Sequence, residues 1–434
     1  MCLTFSLQFK THKSRNNVLH LWPFCIQDLK ALGAKSFYGK FCSGAIDHCS
    51  IRRLQLLLLK VALLLGVTFH RELYFESILP RVDGSWYARI KQSDQEESPL
   101  LTHHAWSCIV DATGGSANTA STISPDLSRK EFRGLLAIGI TVNFVNSGTQ
   151  AEQNVEEISG VASIYKQHFF AQLRNATGID LENIVYYKDD THYFVMTART
   201  KSLLSRGVLK STCDDSSQLL RRSNIDPIAL QAYARDAAMF ATQYQLPDLH
   251  YALNSRGNPD VSIFDFTSRY HSKYAAVVRK TKSASLLGLL VGDALINPFW
   301  PTGTGIGKGF LGVFDACWTF RHMCLPEGDV TAALQERELI YKLLDQCDPS
   351  TLQKKFGLYT IDPKTRYKQL ASIAMQQRTT QILFVEEIKG KRKSLAPMKA
   401  QPQKKQNRGS TLNDQEKIIM SWMRHRELTR FEYI

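Results

Sequence analysis

The chain has 434 residues, 44% hydrophobic and 22% charged, a balance that excludes wholesale disorder and leaves room for two or three folded units. Its formal net charge is +14 and uneven: from Lys389 to Glu432 twelve Lys or Arg stand against four Asp or Glu, leaving +8 in the last tenth. The nine cysteines are odd in number and lack C-x-x-C spacing, so neither a disulfide framework nor a zinc ribbon is expected, and a reducing, cytoplasmic setting is favoured.

In chain order, residues 14–66 read as helical, with an amphipathic segment from Phe24 closed by Gly33 and a second helix over about 50–65 ending at Gly66. The apolar run from Leu56 to Leu65 is interrupted by Lys60 and is shorter than the ~20 residues a bilayer needs, so no membrane span is expected. Residues 1–9 lack the basic segment and cleavage site of a signal peptide. Val67–Leu79 and the segment from Trp86 read as strands, and Trp106–Asp111 as a strand running into Asp111-Ala-Thr-Gly-Gly. The middle is β-rich: Leu135–Val145, then Asn183–Ala198, a hairpin with Asp189 and Asp190 at its turn. Asp226–Leu246 reads as helix and Asp260–Thr267 as strand. Leu287–Asp293 is an apolar strand ending in an acid, followed by a glycine-rich loop and a helix from about Gly307 to His322. Residues 389–411 read as a linker and Glu416–Glu427 as the start of a further helix.

Three segments carry candidate chemistry. In Pro298-Phe-Trp-Pro-Thr-Gly-Thr-Gly, Gly303 and Gly305 lead into a helix N-terminus, where unpaired N–H groups and the helix dipole suit an anion. Asp293 stands where a carboxylate would accept hydrogen bonds from sugar or ribityl hydroxyls. The spacing is not G-x-G-x-x-G, because Lys308 occupies the third glycine position, and a turn that merely packs a helix on a sheet remains an alternative. Asp111-Ala-Thr-Gly-Gly suits close approach to a cofactor, and a plain turn explains it equally. Arg15-Asn16-Asn17 offers a cation and two amides for a phosphate or polar ring edge, while on chemistry alone a simple asparagine helix cap also accounts for it. Asp47-His48-Cys49 has no second cluster to complete a metal site, so no metal is expected. The absence of a Ser-His-Asp order, a P-loop or H-E-x-x-H directs any chemistry to a bound cofactor.

Taken together, Ser14-Arg-Asn-Asn-Val-Leu-His-Leu-Trp-Pro-Phe, Gly33-Ala-Lys-Ser-Phe-Tyr-Gly-Lys-Phe-Cys, Ile46-Asp-His, Gly178–Ala198, Val291-Gly-Asp and Pro298-Phe-Trp-Pro-Thr-Gly-Thr-Gly resemble the monooxygenase domain of the MICAL family, in order, from about residue 14 to about 370. The resemblance implies an α/β fold similar to p-hydroxybenzoate hydroxylase: a Rossmann-like FAD-binding sheet capped by a β-rich middle region. It divides the chain into an FAD-binding region in two parts (1–134 and 285–375), a middle region (135–284), a basic linker (376–412) and the start of a calponin-homology domain (413–434). By the same likeness Arg15, Asn16, Asn17, Phe75, Tyr193 and Asp293 are FAD contacts, joined by Gly303 and Gly305. Asn17 lies near the flavin ring and Trp300 beside it, the two residues assigned to catalysis.

The implied reaction uses FAD and NADPH to oxidise methionine of actin filaments to the sulfoxide, which promotes filament disassembly. It implies a cytoplasmic, cytoskeleton-associated enzyme with neither a nucleic-acid partner nor a membrane span. The sequence departs from the family in two respects, one of them Asp111-Ala-Thr-Gly-Gly, which stands where many such enzymes have an acid followed directly by glycine. Only thirteen residues precede Ser14, and they contain neither glycine nor acid, so the G-x-G-x-x-G element expected there is missing. A truncated chain is therefore expected, with an inactive form that binds a cytoskeletal partner through its basic surface as the alternative.

Overall fold

A computed structural model describes residues 5–8, 16–34, 47–71, 73–92, 104–114, 119–133, 137–164, 166–213, 216–246, 248–297, 303–325, 328–370, 381–388 and 391–394. The first elements are β1 (Phe5–Gln8), β2 (Val18–Leu21) and α1 (Pro23–Ala31). Pro23 sits in the first turn of α1, where its missing N–H costs nothing, and Gly33 closes the helix at φ +97°. β3 (Asp47–Ser50) runs directly into α2 (Ile51–Leu64), capped by the Ser50 hydroxyl, which accepts the Arg53 N–H at 3.3 Å. The all-helical reading of 14–66 is thus corrected. Proline disfavours a helical residue before it, Trp22 is extended, and β2 instead pairs antiparallel with β3, setting His20 opposite His48.

β4 (Thr68–Arg71), β5 (Leu73–Pro80), β6 (Trp86–Gln92) and β7 (Cys108–Asp111) follow. β1 lies parallel to β4, and β5 and β6 form a hairpin. At the end of β7 the buried Asp111 carboxylate accepts the Thr113 N–H and hydroxyl at 2.8 and 2.7 Å, folding the turn onto itself.

The middle of the chain supplies β8 (Arg129–Arg133), β9 (Ile138–Val145), β10 (Ile158–Ala162), α3 (Gln167–Thr177), β11 (Leu181–Lys188), β12 (Thr191–Ala198), α4 (Pro227–Ala241), β13 (Val261–Asp265) and β14 (Ser268–Ser272). Five of these strands form one antiparallel sheet in the order β10-β11-β12-β9-β13. Alternation divides its two faces. Ile138, Ile140, Val142 and Phe144 of β9 join Phe194, Met196 and Ala198 of β12 in a core shared with Leu173 of α3 and Tyr233, Ala234 and Ala237 of α4. The opposite face carries Asn143, Thr191 and Tyr193, polar side chains that are nonetheless buried because the segment leading into β2 covers them.

The remaining elements are β15 (Ala276–Lys280), β16 (Ser285–Leu290), α5 (Gly305–Cys324), α6 (Val330–Asp345), β17 (Phe384–Ile388) and β18 (Lys391–Ser394). They complete a second sheet, ordered β18-β17-β15-β16-β7, in which β16 runs parallel to β7 and β15 parallel to β17. β15 pairs with β16, so this sheet begins before residue 284, and β17 and β18 arise from a stretch that reads as linker. Pairing of β17 with the distant β15, and of β18 with β17, orders these residues despite their charge.

A buried polar clasp joins the helices beside this sheet. Asp315 of α5 binds Arg366 at 2.8 Å, accepts the Tyr367 hydroxyl at 2.8 Å and lies 3.9 Å from Arg337 of α6, all three charged side chains having no exposure. Arg337 also donates to the Leu290 carbonyl at 3.0 Å, tying α6 to the end of β16. Its neighbour Glu338 accepts the Ala275 and Ala276 N–H groups at 2.8 and 3.2 Å. Burial pushes that carboxyl up to about 7 against the opposing effect of those bonds and Arg337. The predicted helix over 416–427 lies outside the described residues, as does most of the basic segment. Among the described residues no helix is long and apolar enough to cross a membrane.

Candidate functional site

The site is assembled around β2, which runs from the polar face of the middle sheet to the start of α5. At its near end Asn16 and Asn17 are fixed in different ways. The Asn16 side-chain amide donates to the Asp260 carboxylate at 2.8 Å and to the Leu253 carbonyl at 3.2 Å, while its own carbonyl accepts the Thr191 hydroxyl at 3.0 Å. Asn143 completes this cluster by donating to Asp260 at 3.0 Å and accepting from Thr191 at 2.9 Å. Burial raises the Asp260 carboxyl, opposed by the two amide donors. Asn16 therefore anchors the backbone, and its neighbour Asn17 presents its amide to the Tyr193 hydroxyl at 3.3 Å. The Asn17 carbonyl accepts the Ile51 N–H at 3.0 Å, holding the residue from the other side.

Tyr193 owes its direction to the hairpin register. Its neighbours Phe194 and His192 point to the opposite face, and the register is set at the turn. There Asp189 and Asp190 accept the Ser50 N–H and hydroxyl at 2.7 and 2.6 Å, and both pair with the Arg53 guanidinium at 2.9 Å. The acidic turn foreseen in the sequence thus docks on the start of α2.

At the far end of β2, His20 and Trp22 meet the glycine turn. Gly303 adopts φ +61°, and a Cβ on it would lie 3.8 Å from His20 Nδ1. A Cβ on Gly307 would fall 2.4 Å from the Trp22 ring, so that position admits no side chain without displacing the indole. α5 begins at Gly305 with Thr304 before it, has no side-chain cap and has no acidic residue in its first turn. Among the described residues α2, α4 and α6 are capped by the side chains of Ser50, Asp226 and Asp329, whereas the N-cap residues of α1, α3 and α5 make no such bond. The start of a long helix without a competing carboxylate suits an anionic ligand.

Asp293 is exposed in the short 3-10 turn Gly292–Ala294 after β16, and that turn packs against α5. Arg129 connects this turn to the one after β7, donating to the carbonyls of Gly114 at 3.0 Å and of Asp293 and Ala294 at 3.2 Å. Phe75 is half-buried between the β5–β6 hairpin and the second sheet. The structure therefore brings Asn17 and Tyr193 into contact and sets Gly303, Gly305 and Asp293 about one helix. Phe75 packs against the apolar clusters of the β5–β6 hairpin and the second sheet. Arg15 and Trp300 lie outside the described residues.

Comparisons with known proteins bear on the family and the fold. A family model described as the Mical Rossman domain matches residues 136–265, the span of the middle sheet. The zebrafish (Danio rerio) protein-methionine sulfoxide oxidase mical3a is 53% identical over 358 residues, covering 82% of this chain and 18% of that protein. The human (Homo sapiens) F-actin monooxygenase MICAL3 is 52% identical over 359 residues, again covering 82% and 18%. The chain belongs to the MICAL family. It spans about a fifth of the length of these MICAL relatives. A solved structure of aklavinone-11 hydroxylase, described as a ternary complex with FAD and aklavinone, aligns at a TM-score of 0.51 with 11% identity, covering 79% of this chain and 62% of that one. The α/β hydroxylase-type architecture expected for a MICAL chain is thereby borne out.

Sequence reasoning missed Thr191, Asn143, Asp260 and Arg129, which hold the predicted residues in place. Alternation around Tyr193 marks Thr191 as a same-face neighbour, whereas Asp260 and Arg129 act from other elements and leave no local signal. His48, weighed in the sequence only as half of a metal site, instead faces Glu157 at 3.4 Å.

Proposed function

We propose that this chain forms the monooxygenase region of a MICAL enzyme, holding FAD between the glycine-opened N-terminus of α5 and the Asn17–Tyr193 contact, and oxidising methionine of actin filaments with NADPH and oxygen. The observation that carries the reading is that β2 joins two features suited to different parts of one ligand. The uncapped start of α5 suits the nucleotide's phosphates, and Asn17 beside Tyr193 offers amide and hydroxyl groups to a polar ring edge. The absence of a side chain at Gly303 keeps the backbone there open to close approach, while Gly307 lets the Trp22 ring pack against α5. Asp293, exposed beside α5, is the acceptor for ribityl or ribose hydroxyls, and Trp300 is the residue assigned beside the ring.

The residues present fit a flavin nucleotide on these grounds. Such a group, when bound, supplies hydride acceptance from NADPH and oxygen activation: thioether, O2, NADPH and a proton give sulfoxide, NADP+ and water. The protein's part is to orient and shield. Asn16 fixes the backbone of Asn17 through Asp260, and Tyr193 limits the amide's rotation. The sulfoxide product places a polar, chiral group where an apolar thioether stood, which disfavours packing in an actin filament. The names of the relatives support both the oxidation and the actin substrate. In this reading residues 1–134 and 285–375 contribute the FAD-binding region, 135–284 the middle region, 376–412 a basic linker and 413–434 the start of a calponin-homology domain, in a cytoplasmic protein associated with the cytoskeleton.

The test is flavin uptake. Purified chain titrated with FAD should quench flavin fluorescence, and Asp293→Ala should abolish the quenching while leaving the far-ultraviolet circular dichroism unchanged. With NADPH and filamentous actin, mass spectrometry should then find methionine sulfoxide. A chain that takes up no FAD under these conditions overturns the enzymatic reading for this polypeptide.

A further inference from the structure

Lys308, which stands at the third glycine position of the turn that opens α5, is a cation that the reading above leaves unused. It is the fourth residue of that helix and is only 8% exposed. Its Nζ donates to the main-chain carbonyl of Asp345 at 2.7 Å. Asp345 is the last residue of α6, the helix that packs against α5. This one hydrogen bond therefore places the C-terminus of α6 beside the first turn of α5. The Asp345 carboxylate is held in turn by Arg269 of β14 at 2.8 Å, and the Arg269 guanidinium lies 5.6 Å from the centre of the Phe132 ring.

The juxtaposition has an electrostatic consequence. A helix carries about half a positive charge at its N–H end and about half a negative charge at its carbonyl end. The carbonyl end of α6 beside the N–H end of α5 suits the helix pair and opposes an anion at the start of α5. The Asp345 carboxylate adds a full negative charge at the same point. The groups that face Lys308 are Asp345, Cys347, Arg269 and Asp348. Burial pushes the Cys347 thiol up to about 11, so it is uncharged at neutral pH. The exposed Asp348 carboxylate accepts the Ser350 N–H and hydroxyl and closes its own turn. Lys342, in the last turn of α6, is exposed, where water and salt screen it. Compensation at the carbonyl end of α6 thus falls to Lys308, and compensation of the Asp345 side chain to Arg269.

We propose that Lys308 and Arg269 neutralise the C-terminal end of α6, and that this neutralisation lets the start of α5 hold the phosphates of a nucleotide. The proposal rests on the reading above in placing phosphates at α5, whichever nucleotide carries them. Both side chains act through α6 and need not touch the ligand. An uncompensated unit charge about 10 Å away, at the screening typical near a protein surface, alters the binding of an anion roughly tenfold.

Calorimetric titrations of the full chain with FAD and with inorganic pyrophosphate test it. Arg269→Gln leaves the Asp345 carboxylate uncompensated and should weaken both ligands about tenfold at low salt, with a smaller loss at high salt. Adding Asp345→Asn should restore the wild-type affinity. A purely structural role for Arg269 predicts no such rescue, because the double variant lacks the ion pair just as the single variant does. Lys308→Met should weaken both ligands in the same way; should it fail to fold, the Arg269 and Asp345 variants decide the matter. Unchanged affinity in Arg269→Gln, or equal weakening in the single and double variants, would overturn the proposal. A wild-type chain that takes up pyrophosphate and no FAD removes the flavin reading while the pyrophosphate series still decides this one. A chain that takes up neither overturns both.

Discussion

The two five-stranded sheets of this protein are built on opposite plans. The middle sheet takes all its strands from 138–265, pairs them antiparallel and buries an apolar face under α3 and α4. The other gathers β7, β15, β16, β17 and β18 from stretches separated by whole elements, and it leans on a charged clasp between α5, α6 and Arg366. The contrast teaches where each kind of sheet is vulnerable. A contiguous sheet draws its specificity from alternation, which many substitutions preserve. A sheet gathered from distant segments depends on a few buried polar groups whose loss nothing nearby can absorb.

The sharpest way to break this comparison is Asp315→Ala. It leaves Arg337 and Arg366 buried without their carboxylate and should cost about 3–5 kcal/mol. Hydrogen exchange should show protection lost in β7, β15 and β16 and retained in β9 and β12; equal loss in both sheets would show that they unfold as one unit.

A smaller effect is expected from Glu338→Gln. The folded-state pKa of this carboxyl is raised from 4.5 to about 7, chiefly by burial. Its stabilising contribution is therefore complete below about 4.5 and is lost as the pH rises through about 7. Glutamine keeps an oxygen for the Ala275 and Ala276 N–H groups, so the variant should remove a fall of roughly 3 kcal/mol across that window. Urea unfolding at the two ends of the range measures it, and an unchanged slope would remove Glu338 as its source.

The smallest effect sharpens the comparison from the other direction. Asp226→Ala and Asp329→Ala each remove one helix cap, one beside each sheet, and each should cost about 1 kcal/mol. Matching shifts in the urea midpoint are expected, because a cap acts locally whichever plan the sheet follows. A several-fold larger loss at Asp329 would mean that α6 carries the second sheet through more than its clasp.

The same contrast explains what was legible in the sequence. The hairpin of β11 and β12 declared itself because alternation, an acidic turn and aromatic residues all agree within a short stretch. α5 was legible for a related reason: its glycines and apolar period lie together. β2 and β3 were hidden, since strands of four residues carry too few positions to show a period, and only their pairing with each other separates them from the neighbouring helices. β17 and β18 read as linker because charged residues break the apolar pattern of both and β15, the partner of β17, lies far back in the chain. Of the site, the residues matched by family resemblance could be named in advance. Their supports could not, because Asn143, Thr191 and Asp260 meet Asn16 only after three strands and the start of β2 have come together.

The clasp of Asp189 and Asp190 on Ser50 and Arg53 has a consequence for how the fold tolerates change. Strand geometry repeats every two residues, so one residue gained or lost at that bend would exchange Tyr193 with Phe194, burying a phenol in oil and turning a phenyl ring toward Asn17. The aspartates thereby act as a phase lock: length at this bend is fixed more strictly than composition.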